Sequence, residues 1–393
     1  MLSPRHIRPG GRISFNTYFF FNAMLNHDPN TYKLLTPGPL TTTLSVREAM
    51  LIDRCTWDED YKAMTQDIRA RLLKLAHAGN DYTTVLMQGS GTFGVESVLS
   101  SLPGPDDHVL VLVNGAYSKR MCEILDRHHI AYSRLDFNWA ESPDAKVVES
   151  YLNDHPEITM VSMVHNETTT GLLNDIASVA NVVKSSGRTM IVDAMSSFGA
   201  VDIDLPKLDI DVIISSANKC IQGVPGFSFI IVKRTVLESS KGNARTLSLD
   251  LYDQWHTLEN DGGKWRFTSP THVVAAFHKA LIELDAEGGV GVRGRRYAEL
   301  NRRLREGMES LGFTAYIPQE NQGPIITTFF YPSDDFSFKD MYQALKNQGY
   351  VIYPGKLTER PSFRLGNIGE IYLDDVEKIL ELFNSYMASR PMI

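Results

Sequence analysis

Lys219 and Asp193 carry the plainest capacity for chemistry in this chain. Asp193 directly follows the apolar run Thr189-Met190-Ile191-Val192, and Lys219 lies in Ser215-Ser216-Ala217-Asn218-Lys219-Cys220, just after Asp211-Val212-Ile213-Ile214. Each apolar run reads as a strand, so a carboxylate and a primary amine arrive at the ends of successive strands. Alone, a strand-end Asp is usually a helix cap and a loop lysine is usually solvated. Here Ile213, Ile214, Cys220, Ile221 and Val224 flank the lysine. Desolvation among such neighbours lowers an amine's pKa, which suits a nucleophile and general base. Upstream, Gly89-Ser90-Gly91-Thr92-Phe93-Gly94 follows an apolar run and opens a helix-like segment. Glycines let the backbone approach a phosphate, and a helix N-terminus presents free N–H groups to it. An amine to condense with an aldehyde, a carboxylate to keep a pyridine nitrogen protonated and a phosphate cradle are together what pyridoxal phosphate requires.

The same glycines satisfy the GxGxxG spacing of dinucleotide sites. That reading wants an acid about 20 residues further on, at the end of the second strand. Asp106 and Asp107 come too early, in a Pro/Gly turn before that strand, and the Ser90 and Thr92 hydroxyls suit a terminal phosphate monoester. Three further residues stand at comparable places. Asn114-Gly115-Ala116-Tyr117 closes a strand and offers an aromatic that either stacks on a cofactor ring or simply sits at a surface turn. His165-Asn166-Glu167-Thr168-Thr169-Thr170-Gly171 brings hydroxyls to another strand end. Arg364, in the apolar run Phe363-Arg364-Leu365-Gly366, needs an anionic partner if buried. A structural ion pair or a substrate carboxylate or phosphonate held bidentately would serve.

The elements that must position these groups follow from periodicity. Thr83–Met87, Val109–Val113, Met160–Val164, Thr189–Val192, Val212–Ser215 and Phe227–Val232 are near-continuous apolar runs, the mark of strands covered on both faces. Helical segments at 94–101, 119–128, 145–154 and 175–185 alternate with them, which predicts a mostly parallel α/β sheet. Between Ile214 and Phe227 the turn Gly223-Val224-Pro225-Gly226 leaves no room for a crossover helix, so the next strand must run antiparallel. From about Val273 one long linking helix is expected, then an arginine-rich segment from Arg293 to Arg305. Strands at 325–330, 351–353 and 362–365 and helices at 338–347 and 373–387 complete the pattern. The expected organisation is an arm over residues 1–30, a large α/β domain over 31–285 and a small α+β domain over 286–393.

Composition narrows the class. The 393 residues are 43% hydrophobic and 22% charged, as in an ordinary globular protein. A formal charge of −8 without a basic stripe argues against nucleic-acid binding. No apolar stretch nears the roughly 20 residues of a membrane span. Cys55, Cys122 and Cys220 show neither metal-ligand nor disulfide spacing, which points to a reducing, cytoplasmic setting and to no metal site. Before Asp28 there are three arginines and no acidic residue. That composition suits an organelle-targeting segment, but an unstructured arm or a start at Met24 is the preferred reading.

In this order, the residues resemble the fold-type I, pyridoxal-phosphate-dependent aminotransferases of class V, from about Tyr32 to the C-terminus. The carriers are Leu35-Thr36-Pro37-Gly38-Pro39-Leu40-Thr41-Thr42, Thr56-Trp57-Asp58-Glu59-Asp60-Tyr61, the block Asn218-Lys219-Cys220-Ile221-Gln222-Gly223-Val224-Pro225-Gly226-Phe227, and Trp265-Arg266-Phe267-Thr268-Ser269-Pro270-Thr271-His272. Within the class the last two blocks are nearest to the 2-aminoethylphosphonate–pyruvate branch, which implies formation of phosphonoacetaldehyde and L-alanine in phosphonate degradation. The alanine–glyoxylate and serine–pyruvate aminotransferases are the runner-up. The resemblance implies that Ser90, Gly91 and Thr92 hold the cofactor phosphate and that Tyr117, where relatives often have tryptophan, stacks on its ring. Thr168 would lie near its 3-oxygen, Asp193 would pair with the pyridinium, and Lys219, with Asn218 beside it, would carry the cofactor. It further implies a homodimer with active sites at the subunit interface, Arg266 and Thr268 reaching the phosphate from the second subunit, and Arg364 gripping the substrate's acidic group.

Overall fold

A computed structural model describes residues 32–357 and 360–389; the arm expected over residues 1–30 lies outside them. In chain order the strands are β1 (Lys33–Leu35), β2 (Tyr82–Gln88), β3 (Val109–Val113), β4 (Tyr132–Asp136), β5 (Met160–Val164), the two-residue β6 (Asn166–Glu167) and β7 (Leu172–Leu173), β8 (Thr189–Asp193), β9 (Val212–Ser216), β10 (Phe227–Lys233), β11 (Ile326–Phe330), β12 (Tyr350–Pro354) and β13 (Ser362–Gly366).

Seven strands form one sheet in the order β2-β10-β9-β8-β5-β3-β4. β9, β8, β5, β3 and β4 pair in parallel, while β10 is antiparallel to both β9 and β2. β2 therefore points the same way as β9, and the single reversed strand is the one anticipated from the tight turn at Gly223–Gly226. β3, β5 and β9 are buried along their whole length, as their unbroken apolar runs demand. Helix Thr271–Glu287 covers the reversed strand, with Phe277 edge-on to Phe227 at 5.0 Å. Burying aromatic pairs of this kind adds roughly 0.5–1.5 kcal/mol beyond area alone.

A second, four-stranded sheet runs β1-β12-β13-β11, with its own core of Leu304, Phe313, Phe329, Phe363 and Phe383. β1 joins this sheet from the far end of the chain, pairing Lys33–Leu35 with Tyr350–Ile352. The segment that follows, Thr36–Pro39, thus crosses from the small sheet onto the large one. Among the described residues no helix is long and apolar enough to cross a membrane.

Two elements escape the sequence reading. β4 is an edge strand that the apolar-run criterion passes over, because Tyr132-Ser133-Arg134-Leu135-Asp136 is half exposed throughout and an edge is better protected by charge than by apolar side chains. The linking helix is Thr271–Glu287, and the arginine-rich segment after it forms a helix of its own, Val290–Ser310. Gly288 and Gly289 separate them at φ of 107° and 81°, left-handed values that end a helix and that glycine adopts without strain. The arginine-rich segment lies within the second of these helices, where Arg293 and Arg296 both pair with Glu287.

Candidate active site

Open α/β sheets bind ligands at the carboxyl ends of their parallel strands. Here β2 leads into Ser90, β3 into Tyr117, β5 into Thr168, β8 ends on Asp193 and β9 leads into Lys219. A cavity of ≈ 170 Å³ opens among them. Its walls include Ser90, Gly91, Thr92, Tyr117, Asp193, Asn218 and Lys219, all singled out from sequence, and also Arg120, Met195 and Ser216. Sequence reasoning missed the second set. Arg120 left a usable trace, lying three positions beyond Tyr117 on one helix face; Met195 left none.

Asp193 is 5% exposed and accepts a hydrogen bond from Met195 N at 2.8 Å. Burial pushes its carboxyl up to about 6, against the pull of Lys219 and Arg120. Among the described residues no cation pairs with it directly, so the pocket holds a buried carboxylate short of a partner. With nothing bound, this costs stability in a definite pH window. A carboxyl whose folded pKa exceeds its unfolded value of about 3.9 binds more protons folded than unfolded between those values, so its contribution falls as pH rises from about 4 to 6. Buried His165, pushed down to about 4 by burial, acts oppositely over a similar range, and only a difference measurement isolates Asp193. In urea titrations of cofactor-free protein, Asp193→Asn should gain about 3 kcal/mol on the parent between roughly pH 4 and pH 7; a pH-independent difference would contradict this assignment.

Lys219 donates to Pro37 O at 2.8 Å and Gly38 O at 3.2 Å. Burial holds its pKa below the usual lysine range. The close seat depends on Gly38, at φ 100°, since a Cβ there would lie 2.5 Å from Asn218 O and 2.7 Å from the lysine Cδ. The Thr-Pro-Gly-Pro block is therefore the platform of the amine, a role its sequence does not disclose.

At the cradle, helix Gly91–Ser101 begins after Ser90, whose side chain makes no cap. The first N–H groups of a helix have no intrahelical partner, so they remain available to an anion. Arg120 Nη1 reaches Thr92 Oγ1 at 3.2 Å, and its Cζ lies 5.1 Å from the Tyr117 ring centre. Tyr117 is fixed through its own N–H to Glu167 Oε2 at 3.2 Å. Glu167 also accepts from Thr169 N at 3.0 Å, and burial raises its pKa. Burial would also raise the Tyr117 phenol, but a hydrogen bond with Thr168 and the charges of Lys219 and Lys356 bring it below its ordinary value. The β6–β7 ladder pinches the loop that carries Thr168, which is buried.

Arg364 is 3% exposed on β13. Its Nε donates to Pro354 O at 3.0 Å and Nη1 to Thr168 O at 3.1 Å; burial lowers its pKa, and the nearby Tyr117 phenol partly offsets this. The structural ion pair considered from sequence is absent among the described residues. Arg266 and Thr268 stand apart from the cavity of their own chain. Arg266 pairs with Asp253 at 2.9 Å and donates to Leu247 O at 2.6 Å, and Thr268 is exposed beside Phe267.

Known proteins resemble this chain in both sequence and fold. It is 54% identical over 359 residues, 91% of this chain and 98% of the relative, to a 2-aminoethylphosphonate–pyruvate transaminase of Lysinibacillus sphaericus. It is 52% identical, over 89% of this chain and 98% of the relative, to the Bacteroides fragilis protein of the same name. Among solved structures, the ureidoglycine–glyoxylate aminotransferase of Bacillus subtilis superposes with a TM-score of 0.84 at 20% identity, covering 91% of this chain and 93% of that one. The pyridoxamine–pyruvate aminotransferase of Mesorhizobium loti gives 0.83 at 23% identity, with 92% and 94% covered. The Aminotransferase class-V family model matches residues 55–372, and the chain belongs to that family.

Proposed function

We propose that the protein uses pyridoxal phosphate to transfer the amino group of 2-aminoethylphosphonate to pyruvate, releasing phosphonoacetaldehyde and L-alanine. The donor set fits this cofactor. A buried carboxylate with no paired cation among the described residues suits a pyridinium nitrogen, an amine of lowered pKa suits its aldehyde, and a helix N-terminus without a side-chain cap suits its phosphate. Ser90, Gly91 and Thr92 would take the phosphate, with Arg266 and Thr268 of a second copy completing the shell in a homodimer. Tyr117 would cover one ring face and Thr168 would lie near the 3-oxygen. Bound there, the cofactor supplies an electron sink for the carbon that carries nitrogen.

Lys219 would be the general base that takes the proton from that carbon and the acid that delivers it to the former aldehyde carbon of the cofactor, so that the nitrogen changes owner. Its lowered pKa keeps a neutral fraction for the first task. Asp193 preserves positive charge at the ring nitrogen through both half-reactions. Arg364 anchors the acidic end of each substrate, phosphonate first and the carboxylate of pyruvate second. The observation that carries this reading is Arg364 itself, a buried guanidinium with no carboxylate partner among the described residues, held by the carbonyl oxygen of Thr168 at the end of the same sheet as the lysine's cavity. Identity of 54% along nearly the whole length of a transaminase named for these substrates supports the choice of amino donor.

Parallel assays test it. With 2-aminoethylphosphonate and pyruvate, alanine and aldehyde should form with a kcat/KM on the order of 100-fold or more above those for alanine with glyoxylate or serine with pyruvate, since a site fitted to hydrogen-bond a phosphonate leaves donors unpaired when an amino donor brings only a carboxylate. Equal or faster turnover of alanine or serine would transfer the assignment to the runner-up.

A further inference from the structure

We propose that Lys356 supplies the second positive charge of the substrate's anion seat and, with Arg364, makes the site select a phosphonate over a carboxylate. The inference rests on the preceding reading for which anion enters. Arg364 is held rigidly by Pro354 O and Thr168 O, which leaves one edge of its guanidinium beside Tyr117. One such edge satisfies a carboxylate. A phosphonate has three oxygens and carries between one and two negative charges near neutral pH, so a second cation completes its seat where a carboxylate needs only one.

The backbone brings one to the same place. β12 pairs Tyr353 with Arg364 and Pro354 with Phe363, so the loop leaving Pro354 passes directly beside the guanidinium. Lys356 stands two positions into that loop. Its Nζ lies 4.9 Å from the Tyr117 ring centre and 3.5 Å from the phenol oxygen, a distance at the outer limit of a hydrogen bond. Neither Lys356 nor Arg364 forms an ion pair among the described residues. The nearby carboxylate, Glu167, is buried and engaged by the N–H groups of Tyr117 and Thr169. Two cations thus lie near one phenol, and among the described residues neither is ion-paired. A mobile ammonium with three donors can meet phosphonate oxygens that the fixed guanidinium does not reach.

The test titrates holoenzyme with ethylphosphonate and with propanoate, matched ligands that lack the amine, and reads binding by calorimetry. Exposed Lys356 can be exchanged without disturbing the core. Lys356→Gln should weaken ethylphosphonate by about 10- to 100-fold, as expected for loss of a charge-assisted contact, and propanoate by less than about 3-fold. Lys356→Arg should restore most of the preference. Equal weakening of both ligands, no change in either, or failure of the parent to prefer ethylphosphonate would overturn the proposal. Because no turnover is required, these outcomes are separable from failure to convert 2-aminoethylphosphonate, which would sink the preceding reading instead.

Discussion

Replacing Lys219 by alanine should abolish transamination while leaving the fold intact. The expected loss is at least about 10⁴-fold in kcat, because one side chain acts as attachment point, base and acid, and general acid–base help alone is worth 10²–10⁴. Folding should change little. The variant loses hydrogen bonds to Pro37 O and Gly38 O, but it also removes an amine whose desolvation is costly. Single-turnover formation of alanine from the cofactor-loaded variant measures the effect, and borohydride reduction followed by peptide mass mapping checks the attachment point. Turnover within tenfold of the parent, or label fixed at another lysine, would remove Lys219 from the mechanism.

Asp193→Asn should have the second largest effect, on the order of 10²- to 10⁴-fold in kcat. The amide can still accept from Met195 N, so local geometry survives and the charge alone disappears. A buried cation left without its partner costs about 3–5 kcal/mol, and that is the energy by which a protonated ring nitrogen would be disfavoured. Asp193→Glu, which keeps the charge but shifts it by a methylene, should retain more activity than the isosteric amide. If asparagine instead outperforms glutamate, position matters more than charge and the pyridinium assignment fails.

Both predictions concern residues legible before any fold was known. Asp193 and Lys219 end apolar runs that had to be strands, and parallel strands buried on both faces present their carboxyl ends at a common edge. The reversed β10 was equally legible, since the ten residues between Ser216 and Phe227, ending in a tight Gly-Val-Pro-Gly turn, are too few for a helical crossover. Near-continuous apolar patterning made the central strands visible, whereas edge strand β4, half exposed and charged, left no such trace. The two glycines that separate the linking helix from the next were visible as letters, but their effect depends on left-handed dihedrals that composition does not specify.

The types of chemistry available to this protein (a desolvated amine, a strand-end carboxylate, a glycine-rich helix start, an arginine within an apolar strand) were determined by the amino-acid sequence alone, because local patterning decides which side chains stand at strand ends and which are buried. What only tertiary structure decided is who meets whom. Pro37 and Gly38 accept the Lys219 amine across 182 and 181 positions of chain. Arg364 reaches Thr168 O across 196, and Lys356 reaches Tyr117 across 239. Such contacts depend on how two sheets with separate cores are set against each other, and no local periodicity encodes that placement.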